Sequence, residues 1–128
     1  MKILAFGTFD PLHKGHENFL QQAKKLGYLV VVVSHKDKIK LEKNRDPREE
    51  DAERVTKVKE LNIADEVILG ESGNEFNILQ KIKPDIIALG YDQKIPEPLK
   101  NKVKKYKIIT LEPFKPEIFK SSKIVKNS

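Results

Sequence analysis

The chain has 128 residues, enough to bury about two thirds of the surface its unfolded form exposes and so to build the core of one domain spanning 1–128. It has no cysteine, which excludes disulfide scaffolds, cysteine-ligated zinc and thiol nucleophiles, and its longest wholly apolar run, residues 28–33, is far too short for a helix to cross a bilayer. The formal charge of +6 is uneven: residues 94–128 carry ten Lys against three Glu, a net of +7, which leaves residues 1–93 at −1.

The first predicted strand, 2–6, opens almost at Met1, and with the missing cysteines this leads us to expect a cytoplasmic protein. Gly7, Thr8, Phe9, Asp10, Pro11, Leu12, His13, Lys14, Gly15 and His16 follow, and then a predicted helix, 16–26, with Phe19, Leu20, Ala23 and Leu26 on one stripe. The segment thus sits at the carboxyl end of a strand, where ligands bind in open α/β sheets. The first turn of the helix has N–H groups without intrahelical partners, and these and the helix dipole favour an anion such as a triphosphate. We therefore expect nucleotide contacts from Gly7, Thr8, Phe9 and Gly15, with Gly15 letting the backbone approach the phosphates. His13 and His16 are the candidate catalytic residues, donating hydrogen bonds to oxygens whose charge grows as the α-phosphorus is attacked, His16 as a neutral imidazole at a helix start. Asp10 is expected to fix the loop. The alternative, a metal held by the two histidines and a third ligand, lacks a partner motif around the remaining His35, so no protein metal site is expected.

Further on, strands are predicted at 29–34, 66–69, 86–89 and 107–111, and helices at 49–61, 75–83 and 97–104, with a short one from about 121. Val55, Val58 and Leu61 line one face of the second helix, and Ile78, Leu79 and Ile82 line the third. Residues 36–54 are polar and read as a loop. Strands apolar enough to be covered on both faces, alternating with amphipathic helices, imply an α/β fold: a doubly wound, five-stranded parallel sheet with helices on both faces. After the fourth strand, Gly90 permits a tight exit, Asp92 and Gln93 offer hydrogen bonds to a ribose or an exocyclic amine, and Tyr91 offers a stacking face. Ser121 and Ser122 precede the last apolar-containing stretch as helix caps do. The basic C-terminal pole is one footprint of a nucleic-acid binder, but no aromatic interleaving or RNA-binding motif accompanies it, so neither nucleic acid nor membrane is expected as a partner.

Gly7-Thr8-Phe9-Asp10 followed by His13-x-Gly15-His16, with Gly90-Tyr91-Asp92-Gln93 and the segment from Lys115 to Ile124 in the same order, resembles the HxGH nucleotidyltransferase superfamily over nearly the whole chain. The likeness is to its small cytidylyltransferase-like branch, which includes glycerol-3-phosphate cytidylyltransferases and archaeal-type FAD synthetases. The resemblance implies a Rossmann-like strand order 3-2-1-4-5, direct transfer of a nucleoside monophosphate from an NTP to a phosphorylated acceptor, Mg²⁺ bound with the NTP phosphates, and a homodimer. It further implies that Lys115, Ser121 and Ser122 grip the β- and γ-phosphates, Lys115 standing where arginine is usual. Lys43, Arg45 and Arg54 match basic residues of the glycerol-phosphate branch by position, and Lys123 and Tyr91 are added as phosphate or acceptor contacts. Gly90-Tyr91-Asp92-Gln93 is closer to FAD-synthetase-like members, with Phe114 and Phe119 as flavin-side apolar surface, which points to ATP and FMN. A cytidylyltransferase acting on a small phosphate is the alternative, weakened because residues 71–77 lack the lysine that branch places there. A nucleotide-binding regulator without turnover is the third reading.

Overall fold

The computed structural model describes residues 1–10, 12–70, 75–90 and 106–112. Each apolar run becomes a strand: β1 (Lys2–Gly7), β2 (Tyr28–Val33), β3 (Glu66–Leu69), β4 (Ile86–Leu89) and β5 (Lys107–Thr110). Each amphipathic stretch becomes a helix: α1 (Lys14–Lys24), α3 (Asp51–Glu60) and α4 (Glu75–Ile82), with α2 (Lys36–Lys43) between β2 and α3. The strands form one parallel sheet in the order β3-β2-β1-β4-β5, as the resemblance implied. The three inner strands have almost no polar residue, because side chains on both of their faces are covered. Ile3, Ala5, Leu29, Val31 and Val33 turn to one face, where they meet Leu20 and Ala23 of α1 and Val58 of α3. Leu4, Val30, Val32, Ile87 and Leu89 turn to the other, against Ile78 and Leu79 of α4. The fold is the doubly wound α/β sandwich.

One element differs from the sequence-based expectation. Residues 36–43, read as loop, form α2, because the His35 side chain caps its start by accepting from the Asp37 N–H at 3.1 Å and Ile39 is buried to 1% exposure. Burying that isoleucine contributes about 1.5–3 kcal/mol towards holding two turns that are mostly polar. The helices predicted at 97–104 and from about 121 lie outside the described residues.

Strand order places the site. The chain leaves β1 towards β2 on one side and leaves β4 towards β5 on the other, so the connections diverge between β1 and β4 and open a crevice at their carboxyl ends. β1 and β4 pair in register as far as Ala5 with Ala88, and Gly7 and Gly90 each follow two residues later, at the crevice end of the two strands.

Candidate active site

β1 ends in a turn built around Phe9. Its backbone is left-handed, with φ of +51°, and its side chain folds back into the core at 1% exposure. For a bulky residue this conformation costs about 1–3 kcal/mol and persists only where the surroundings impose it. Gly7 leaves room for the ring: a Cβ there would stand 2.5 Å from Phe9 Cζ. The ring then meets His16 edge to face, with centroids 5.0 Å apart at 68°. Sequence reasoning placed Phe9 in the site for its backbone; the structure adds a side chain that seats a histidine.

The two histidines close a reciprocal capping box at the start of α1. His13 is the N-cap, and its Nδ1 accepts from the Gly15 N–H at 3.0 Å and from the His16 N–H; the His13 N–H donates in turn to Nδ1 of His16, at 3.3 Å. The rings stack 3.8 Å apart at 22°. An imidazole nitrogen that accepts from a backbone N–H carries no proton, so both rings are neutral with the proton on Nε2. On each ring that N–H lies on the side away from the backbone that Nδ1 caps. Gly15 is required by the same packing, since a Cβ would lie 2.9 Å from Cε1 of His13. The expectation that the first-turn N–H groups meet an anion directly is revised: those of Gly15 and His16 already have His13 as acceptor, and the imidazoles relay the donor role outward.

Asp10 fixes the neighbouring loop, as its place in the motif suggested. Its enclosed carboxylate accepts from the N–H of Arg48 at 2.7 Å, the N–H of Glu49 at 3.0 Å and the Arg45 guanidinium at 3.3 Å. Burial alone would raise its pKa, but these donors and the Arg45 charge together hold it below the ordinary carboxylate value. Arg45, itself partly exposed, is thereby carried to the β1 exit.

Arg54 has a different place from the phosphate contact inferred by position. It is fully buried and its guanidinium donates to three carbonyl oxygens, Thr8 at 3.2 Å, Ser34 at 2.6 Å and Glu49 at 3.2 Å, and to the carboxylate of Asp51. With four of its five N–H directions engaged by protein oxygens, it ties chain segments together. Asp51, not singled out in the sequence, accepts also from the Lys36 N–H at 3.0 Å and lies 3.5 Å from Nε2 of His35. The signal that could have found it is its position three residues before Arg54 on one helix face.

Gly90 directly follows β4 at its carboxyl end. Lys43 is the last residue of α2, and its side chain is outside the described set, as are Tyr91, Asp92, Gln93, Phe114, Lys115, Phe119, Ser121, Ser122 and Lys123. Among the described residues no group of three His, Asp or Glu side chains is arranged to hold a metal ion, and no helix is long and apolar enough to cross a membrane.

A doubly wound sheet whose β1 exit carries a paired-histidine cap at the switch point defines a class, and the model of the cytidylyltransferase-like family matches residues 4–127: the chain belongs to that family. Among its relatives is an FAD synthase from Thermoplasma volcanium, 35% identical over 131 residues that cover 98% of this chain and 92% of that protein. FAD synthases from Thermococcus onnurineus and Ferroglobus placidus are 40% and 48% identical, over 84% and 75% of this chain. The matched regions span 74% and 62% of those two relatives. A solved structure from Thermoplasma volcanium, described as a lipopolysaccharide core biosynthesis protein, superposes with a TM-score of 0.80 at 37% identity, covering 90% of this chain and 98% of that one.

Proposed function

We propose that this chain is an FAD synthase, an adenylyltransferase that joins the AMP portion of ATP to the phosphate of FMN. An oxygen of the FMN phosphate attacks the α-phosphorus of ATP, the bond from that phosphorus to the bridging oxygen breaks, and pyrophosphate leaves with the electron pair. No covalent enzyme intermediate is required. The observation that carries the reading is the reciprocal histidine cap at the switch point, which presents two Nε2–H donors, from His13 and His16, where charge develops on the α-phosphate. The FAD synthase relatives support ATP and FMN as the pair of substrates.

Catalysis on this reading is alignment and charge stabilisation. Gly7, Thr8, Phe9, Gly15 and Gly90 shape the crevice, and Arg45 supplies a cation at its edge. Lys43, Tyr91, Asp92, Gln93, Lys115, Ser121, Ser122 and Lys123 complete the proposed contacts by resemblance. The Asp10 carboxylate is engaged by three protein donors, so a Mg²⁺ would be held by the triphosphate oxygens rather than by Asp10 and would supply charge neutralisation there. By the same resemblance we propose that residues 1–128 act as one domain, as a homodimer in the cytoplasm.

Membership of the cytidylyltransferase-like family supports CTP as the nucleotide in a second reading, with a small phosphate as acceptor by resemblance. The test crosses ATP and CTP against FMN, glycerol 3-phosphate, phosphoethanolamine and a heptose phosphate, measuring pyrophosphate release with Mg²⁺ and with His13→Ala as the control. Release with ATP and FMN alone is the expected outcome. Release with CTP and a small phosphate establishes the second reading, and nucleotide binding without release from any pair makes the chain a regulator.

A further inference from the structure

We infer that Arg54 is a positioning residue for the histidine pair, acting from the core through the Thr8–Phe9 turn, and that it couples the histidines to the segment bearing Arg45. Its activity readout rests on the nucleotidyltransferase reading; its structural readout does not.

The inference rests on where the guanidinium donates. One Nη1 reaches the carbonyl of Thr8, just past β1, and the carbonyl of Ser34, just past β2; Nε reaches the carbonyl of Glu49, just before α3. Three segments that end at one sheet edge are thus held by a single buried planar cation. The Thr8 carbonyl belongs to the peptide plane from which Phe9 takes its left-handed φ. Anchoring that plane sets the Phe9 ring, and the ring sets His16. The backbone of Glu49 carries the coupling onward, because its carbonyl accepts from Arg54 while its N–H, in the preceding peptide group, donates to Asp10, which holds Arg45. Asp51 completes the node: it neutralises Arg54 and accepts from the Lys36 N–H at the start of α2.

A purely structural arginine would stabilise the fold without setting ring geometry. The distinction is testable because lysine keeps the buried charge but is a point donor, unable to reach carbonyls on three segments along fixed planar directions. In Arg54→Lys, with the fold checked by circular dichroism, the Phe9–His16 ring contact seen as a nuclear Overhauser effect is expected to weaken, and the His16 ring nitrogens to lose the signature of a pure Nε2–H tautomer. The rate of pyrophosphate release is expected to fall about 100-fold, as for an ångström-scale misplacement, with KM for ATP changed no more than about threefold. Val58→Ala, a core truncation on the same helix, serves as the control: it lowers the melting temperature and leaves ring contact and rate as they were. Should Arg54→Lys not fold, Asp51→Asn carries the same test, since it removes the anion that orients the guanidinium from a partly exposed position. A folded variant with an unchanged Phe9–His16 contact and an unchanged His16 tautomer overturns the inference. If the native chain itself releases no pyrophosphate, the functional reading fails while the ring measurements still decide the role of Arg54.

Discussion

At the scale of single residues, the HxGH segment works by satisfying its own backbone. A histidine at the N-cap and another at the third helical position exchange hydrogen bonds through Nδ1, the arrangement that serine and glutamate make in ordinary capping boxes. Capping and donor presentation are one event: the ring that caps with Nδ1 must point Nε2–H away. Gly7 shows how narrow the fit is. In Gly7→Ala the new methyl meets the buried Phe9 ring at 2.5 Å, so either the ring leaves its site or the β1 exit shifts. We expect a folded protein destabilised by about 1–3 kcal/mol, the range for overpacking. Its pyrophosphate release should be lost, with the Ser34 amide, which donates to the Gly7 carbonyl, shifting only if the β1 exit moves, as checked by a thermal melt, a rate assay and backbone amide shifts. A variant with full activity would remove the Phe9–His16 contact from the account of the site. Such a contact was not legible in the sequence, because a positive φ at phenylalanine runs against its local preference and only the enclosing core imposes it.

At the scale of elements, strands and helices from 2 to 69 and from 75 to 89 followed from hydrophobic period. α2 did not, because residues 36–43 carry only Ile39 and Leu41 as apolar residues among lysines and acids, two positions apart and too little to register as a helical stripe. The His35 side-chain cap and the buried Ile39 help to hold it once β2 delivers the chain there. Ile39→Ala is therefore expected to cost about 2–4 kcal/mol, with amide hydrogen exchange accelerating selectively over 36–43. Uniform acceleration across the sheet would show instead that α2 is integral to the core. The wider consequence is at the site: α2 and the turn after it bring Arg45 back to Asp10, so the helix determines where that cation stands.

At the scale of the whole molecule, carboxylates bind separated elements together. Asp10 receives donors from the segment before α3, and Asp65, held below its ordinary pKa by the Lys24 ammonium and the Leu29 N–H, joins α1 to the start of β2 and β3. A folded pKa below the unfolded value of 3.8 means that both contributions are present above about pH 4 and are lost as pH falls through the lower folded value. Denaturant midpoints are accordingly expected to hold steady from neutral pH down to about 4 and to decline below it. Asp10→Asn should lose about 1.5–3 kcal/mol at neutral pH, the range for hydrogen bonds to a charged group, with its deficit against the native chain shrinking below pH 4. A deficit independent of pH would mean that the Asp10 charge contributes nothing beyond its shape.

The sequence by itself determined the parallel sheet, the placement of the histidine motif at a strand's carboxyl end, and the loop-fixing role of Asp10, because alternation of apolar period and the chemistry of residues near one another in the chain are local properties. Only the tertiary structure decided that Arg54 turns inward, that Phe9 seats His16, and that residues 36–43 are helical. Each of these depends on which segments the sheet order brings to a common edge. Arg54 meets Thr8 and Ser34 only because β1 and β2 pair in register and end together, a coincidence in space that sequence separations of 46 and 20 do not encode locally.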